Sequence, residues 1–226
     1  MAVGIGRELG LRALAPLLPG HGSSVDDLAQ TRFADWRRGA QEAFESLPSG
    51  PVIVIGSSMG SLLALDLTAD QPERVIGVVA LATALRLGWL FPSLALSVMA
   101  ALRLPDFSLP KAGADIRDPC QRKSQVTYGA QPAHAGNEVR LAGPRVERRL
   151  GQIRCPALLV HGRHDHVCPL RGARRAFSRL GTPRDQKELV ILDRSYHIVT
   201  RDVERGIVRT KIHDFVRRLA GTSHAA

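Results

Sequence analysis

The stretch "PVIVIGSSMGSLLALDL", residues 51–67, decides the fold. Its first half is a continuous apolar run rich in β-branched residues, which suits a central parallel strand buried on both faces. Its second half reads as a helix, ended by Pro72. Between them lies Gly56-Ser57-Ser58-Met59-Gly60, a G-x-S-x-G pattern. The pattern alone is short and recurs by chance. Its position between strand and helix is what gives it meaning, because a nucleophile elbow holds its serine in a strained turn above a strand end. The flanking glycines would remove side chains that collide in so tight a bend. Ser58 would then stand at a helix N-terminus, where free N–H groups favour developing negative charge.

Working outward, three more buried strands follow. They are "VIGVVALATA" from Val75, "CPALLVHG" from Cys155 and "KELVILD" from Lys187. Helical spacing lies between them. In "DDLAQTRFADWRRGAQEAFESL" the spacing offers Ala34, Trp36, Ala40, Phe44 and Leu47 to a core. "RGARRAFSRL" is a helix ending at Gly181. "VERGIVRTKIHDFVRRL" carries Val208, Ile212, Phe215, Val216 and Leu219 on one stripe. The tail "AGTSHAA" reads as frayed. Near the front, "LRALAPLLPG" reads as a short strand ending in a Pro-Gly turn. Strands alternating with helices make the class α/β, a mainly parallel sheet with helices on both faces. Residues 86–150 loosen into Pro, Gly and Arg with no strong strand, and read as an insertion over the sheet's C-terminal edge. The core is then 1–85 with 151–226, and 86–150 is a cap.

Bulk properties narrow the partners. At 226 residues the chain suits one domain with a full core. The net charge of +10 raises the question of nucleic acid. Arg supplies 27 of 31 basic residues, scattered from Arg7 to Arg218, and aromatics are only 4%, so neither a clustered basic face nor stacking platforms are evident. No nucleic-acid partner is expected, while loose contact with an anionic membrane surface stays open. Cys120, Cys155 and Cys168 form an odd set without metal-ligand spacing, which argues against a disulfide framework and fits a reducing cytoplasm. No signal peptide pattern is visible. The apolar stretch 87–102 is short for a membrane span and carries Pro92, so it reads as a buried or cap helix.

A serine nucleophile needs a base, and the base needs an orienting carboxylate. "LLVHGRHDHVCP" places Asp165 just after one buried strand, and "LVILDRSYHIVTRD" places His197 just after the next. Both emerge at the sheet edge where Ser58 emerges, in the chain order Ser, acid, His. Asp193 is a rival acid, but it shares one strand-to-loop stretch with His197. The run "HGRHDH" also invites a metal reading through His161, His164, Asp165 and His166. No second cluster of ligands completes the shell, so no metal is expected.

With these residues in place, the sequence resembles the α/β-hydrolase superfamily, and within it the small bacterial monoacylglycerol lipase and carboxylesterase group. The carriers are "APLLPGHG", "VIGSSMGSLLAL", "PERVIGVVAL", "IRCPALLVHGRHDHVCP" and "SYHIVTRDVERGIVRTKIHDFV". The resemblance implies Ser58 as nucleophile, Asp165 as acid and His197 as base. It implies one oxyanion donor from the backbone N–H of Met59 and a small cap over residues 86–150. The apolar stretch "WLFPSLALSVMAAL" would line an acyl pocket or simply pack as core. No cofactor is implied, and the partner is a small-molecule acyl ester. The oligomeric state is not indicated.

The resemblance departs at the front. Its members carry an earlier strand ending in an HG turn, which gives a second oxyanion N–H. Here "GRELG" reads as the end of the helix that follows that turn, and His21-Gly22 matches a later loop. The expectation is that roughly 25 to 40 further residues, about one β–α unit, belong ahead of residue 1, and that an apolar strand edge lies bare. Loss of one oxyanion donor costs about 100- to 1000-fold in turnover. Three functions therefore stay open. One is an ester hydrolase, another a related acyl-transfer enzyme such as a thioesterase, acyltransferase or carbon–carbon hydrolase, and the third a remnant that binds without turning over.

Overall fold

A computed structural model describes residues 1–88, 107–110 and 113–223. The stretch "WLFPSLALSVMAAL" (89–102) lies outside the described residues. Four parallel strands form the main sheet: β1 (Val52–Ser57), β2 (Val75–Leu81), β5 (Ala157–Gly162) and β6 (Lys187–Leu192), side by side in that order. A separate antiparallel pair, β3 (Ser108–Pro110) and β4 (Ala130–Pro132), stands in the segment between β2 and β5, where the sequence shows no strong strand signal.

Alternation along each strand divides the core into two layers. Val78 and Ala80 of β2, with Ala157 and Leu159 of β5, face one layer. It includes Trp36, Leu62, Leu65, Val146 and Ala176, from the helices Phe33–Glu45, Met59–Asp70, Ala133–Glu147 and Leu170–Arg179. Val79, Leu81, Leu158 and Val160 face the other layer, which holds Ile5 and the predicted stripe of Val208, Ile212, Phe215, Val216 and Leu219. Gly77 lets the C-terminal helix Arg205–Ser223 close on the sheet, since a Cβ there would stand 2.4 Å from the Leu219 side chain. Burial on both faces explains why these strands read as unbroken apolar runs.

The structure corrects the sequence reading at several points. Residues 12–17 are exposed and form no strand. No described strand runs alongside them, and without a ladder partner extended backbone gains nothing over solvated backbone; Pro16 removes a donor as well. Among the described residues, strand β1 accordingly ends the sheet, paired only with β2. One face of this edge strand is packed, however. Ile53 and Ile55 are half-buried and packed in the same layer as Leu9 and Leu11. The expected single helix over 26–47 is two, Val25–Gln30 and Phe33–Glu45, with extended backbone at Thr31 and Arg32 between them. The break turns Phe33 inward and leaves Ala34 exposed. At the other end the helix continues through Ser223, into the tail read as frayed.

Candidate active site

The turn between β1 and the helix Met59–Asp70 holds Ser58 at φ 55° and ψ −122°. This is strained for a residue with a Cβ. Three bonds hold the turn: the Ser58 N–H donates to Leu81 O at 2.9 Å, and the Ser61 N–H (2.9 Å) and hydroxyl (2.5 Å) both donate to Ser58 O. The two glycines are not equivalent. A Cβ on Gly56 would lie 1.9 Å from the Gly60 carbonyl oxygen, so the bend requires glycine there. A Cβ on Gly60 would meet nothing within 4 Å, contrary to the reading that both glycines avoid collisions. Met59 is the first residue of the helix and is half-buried. A cleft of about 430 Å³ opens beside the elbow along β1, lined by Ile55, Gly56, Ser57, Thr200 and Arg201 among others.

The loops after β5 and β6 bring the other two predicted residues to this turn. His197 Nε2 lies 2.9 Å from Ser58 Oγ, and His197 Nδ1 lies 2.8 Å from Asp165 Oδ2. The Asp165 side chain is fully buried and that of His197 is 11% exposed. Asp165 Oδ1 accepts the backbone N–H groups of Val167 (2.8 Å) and Cys168 (2.7 Å). Burial pushes the Asp165 carboxyl up, but the bond and charge of His197, the Cys168 N–H and His161 outweigh it and hold the group below its ordinary range. Asp193 points elsewhere. It is 69% exposed and paired with Arg163 at 2.6 Å. The two loops close tightly, since a Cβ on Gly162 would stand 2.1 Å from Tyr196 O.

The histidines of "HGRHDH" do not converge. His161 is buried, whereas His164 and His166 are exposed. Among the described residues the groups able to reach a common ion are Asp165, Cys168 and His197, within 4.8 Å of one another. Their chemistry suits hydrogen bonding better than a cation. Asp165 and His197 already hold each other, and burial together with the Asp165 charge keeps the Cys168 thiol well above its usual range, hence protonated.

A family model described as "Hydrolase_4: Serine aminopeptidase, S33" matches residues 7–204. The chain belongs to this family. A thermostable monoacylglycerol lipase of Bacillus sp. (strain H-257) is 28% identical over 216 residues, covering 95% of this chain and 82% of that protein. A carboxylesterase of Bacillus subtilis (strain 168) is 23% identical over 216 residues, covering 94% and 83%. Among solved structures, one of the metagenome-derived lipolytic enzymes LipS and LipT superposes with a TM-score of 0.76 at 27% identity, covering 89% of this chain and 80% of that one. The parallel sheet flanked by helices is the α/β-hydrolase fold.

Around the site, this Hydrolase_4 chain anchors its loops with carboxylates that sequence reasoning missed. Asp115 accepts the backbone N–H of His197 (3.2 Å) and of His166 (3.1 Å), and pairs with His166 Nδ1 at 2.7 Å. Buried Asp202 accepts the N–H groups of Arg117, Asp118, Tyr196 and Val203. Glu204 accepts from the Arg194 N–H and the Ser195 hydroxyl. Most of these partners are main-chain N–H groups, which no side-chain pattern announces. Ala82, after β2, is the other non-glycine residue with positive φ among those described, at 47°. No described helix is long and apolar enough to cross a membrane.

Proposed function

We propose that the chain is a serine hydrolase of carboxylic esters that works through an acyl-enzyme on Ser58, with single-chain, monoacylglycerol-like esters as substrates. The observation that carries this reading is the unbroken hydrogen-bond path from Ser58 Oγ through the His197 ring to Asp165. Likeness to a monoacylglycerol lipase and a carboxylesterase supports the substrate class.

Ser58 Oγ attacks the ester carbonyl while His197 Nε2 takes its proton. Asp165 keeps the His197 proton on Nδ1 before attack and stabilises the imidazolium afterwards. The tetrahedral oxyanion meets the Met59 N–H at the helix N-terminus. Collapse expels the alcohol, which receives the proton from His197. Water, deprotonated by the same ring, then attacks the acyl-enzyme and releases the acid and Ser58. The reaction needs no cofactor. In this reading residues 86–150 form the cap over a core of 1–85 and 151–226. The reach of Asp115 to His197 supports a cap that meets the active-site loops, while the helix Ala133–Glu147 packs in the core layer itself.

A fluorophosphonate probe tests the proposal. Peptide mass analysis should find the phosphonyl group on Ser58, and Ser58→Ala should lose both label and hydrolysis of p-nitrophenyl and monoacylglycerol esters. Label on Ser57, or turnover that survives Ser58→Ala, would sink it. Labelling without turnover of any ester would indicate the binding remnant instead.

A further inference from the structure

His161 has no part in the mechanism above, yet it is fully buried at the end of β5, directly behind the acid. Its ring makes three contacts. The Thr83 N–H points at Nδ1 at 3.2 Å. An N–H can only be received by an unprotonated ring nitrogen, so the ring proton sits on Nε2. That Nε2–H bonds the Cys168 carbonyl at 2.8 Å, and Asp165 Oδ2 lies 3.3 Å from the same nitrogen. Burial lowers the affinity of the ring for a second proton, against the pull of the Asp165 charge.

Counting donors around Asp165 shows what this arrangement adds. A carboxylate has about four lone-pair positions. Oδ1 takes two backbone N–H groups, from Val167 and Cys168, and Oδ2 takes His197 Nδ1–H. The remaining side of Oδ2 faces His161. The same His161 proton also fixes the Cys168 carbonyl, and Cys168 is one of the residues whose N–H holds Oδ1. One ring thus ties the Asp165–Cys168 turn to the loop after β2, whose next amide, Ala84 N–H, bonds Ser61 Oγ in the nucleophile helix.

We propose that His161 is a positioning residue: a permanently neutral, Nε2-protonated histidine that clamps Asp165 in the orientation where it can hold His197. It touches no substrate and transfers no proton. The proposal rests on the roles given above to Ser58, His197 and Asp165.

Two amides separate the contacts of the ring. In Gln the terminal N–H reaches the height of Nε2, so His161→Gln keeps a donor toward Cys168 O, beside Asp165. In Asn the amide reaches only the height of Nδ1, so His161→Asn keeps contact with Thr83 and loses the donor to Cys168 O beside Asp165. The groups that face His197 are Asp165, Ser58, the Cys168 thiol, and Asp115 at its backbone N–H. Among these groups the two variants differ in the hold on Asp165, made through the Nε2 side of residue 161 and the Cys168 carbonyl. With Asp165 loosened, the imidazolium of His197 loses support. His161→Asn should therefore lower kcat about 10- to 100-fold, the usual effect of losing such an outer partner. KM should stay near wild type, and the acid limb of the pH–rate profile, together with the His197 titration seen by NMR, should move to lower pH. His161→Gln should restore both. Equal behaviour of the two folded variants, or an acid limb and His197 titration that stay in place or move upward in His161→Asn, overturns the proposal.

Nitrogen-edited NMR of the unmodified protein adds a test that depends on neither variant folding nor on turnover. His161 should stay neutral with its proton on Nε2 from about pH 5 to 8, the window in which an ordinary histidine titrates. A proton on Nδ1, or titration in that window, removes the clamp. If the wild type instead shows no Ser58-dependent turnover while His161 and His197 titrate as described, the failure lies with the proposed function and not with the clamp.

Discussion

Asp115 Oδ2 receives the backbone N–H of His197 at 3.2 Å, so a residue from the segment between β2 and β5 holds the loop that carries the base. The same carboxylate receives the His166 N–H, beside the acid. Asp115→Ala should leave both loops less constrained and lower kcat about 10-fold, the lower end of what lost outer partners cost. KM should change less. Steady-state kinetics on a p-nitrophenyl ester, with circular dichroism to confirm folding, checks this.

Asp165 and Asp193 lie on loops that both emerge at the same sheet edge, but only Asp165 meets the His197 ring. Asp165→Asn should reduce turnover by about 10⁴-fold, because an amide can donate to Nδ1 and stabilise the wrong tautomer. Asp193→Asn should stay within a factor of about two, since it removes only an exposed ion pair. A reversal of these two results would reassign the acid.

The glycines give a contrast in folding. Gly56→Ala forces a Cβ against the Gly60 carbonyl and should lower stability by about 3 kcal/mol or prevent folding, at the upper end of overpacking costs. Gly60→Ala meets open space and should fold normally. Chemical denaturation of both variants separates them.

Gly162→Ala should behave differently again. Its Cβ would press on Tyr196 O, next to His197, so the loop carrying the base must shift. Activity should fall by a larger factor than the unfolding equilibrium, read by comparing kcat with the denaturation midpoint.

Arg37 and Arg149 both pair with Asp66 and Asp70. Burial raises the Asp70 carboxyl, but the bonds from Arg149 and Arg37 outweigh it and the group lies below its ordinary range. A depressed carboxylate stabilises the fold above its unfolded pKa, about 3.9, and that contribution disappears as pH falls through the lower folded value. The Tm difference between wild type and Asp70→Asn should therefore be constant above about pH 5 and shrink below about pH 4. A difference that persists at low pH would show that the pair contributes through packing instead of charge.

The four main strands and the sites of Ser58, Asp165 and His197 were legible because each rests on a local signal: a buried run, then a polar residue at its end. Residues 11–20 misled because "LRALAPLLPG" has the composition of a strand, while a strand also needs a neighbour that composition cannot reveal. Phe33 was missed although it shares a helical face with Trp36, Ala40 and Phe44; the break at Thr31 and Arg32 makes it the first residue of that helix. His161 was visible, but in "HGRHDH" it looked like one of several ligands. It lies inside β5, a strand buried along its whole length, while His164 and His166 lie in the loop beyond Gly162, and that is the signal that would have singled it out. Asp115, Asp202 and Glu204 left no mark, because a carboxylate held mostly by main-chain N–H groups has no complementary residue pattern to find.

That last property has a consequence for how the chain can change over generations. Asp202 and Glu204 grip Arg194, Tyr196 and Val203 by their amide hydrogens, which nineteen of the twenty amino acids supply alike. Exchanges at these three positions would leave the main-chain hold on the loop intact, so residues beside His197 can drift while the ring keeps its place. Proline, without an N–H, is the residue these three positions exclude.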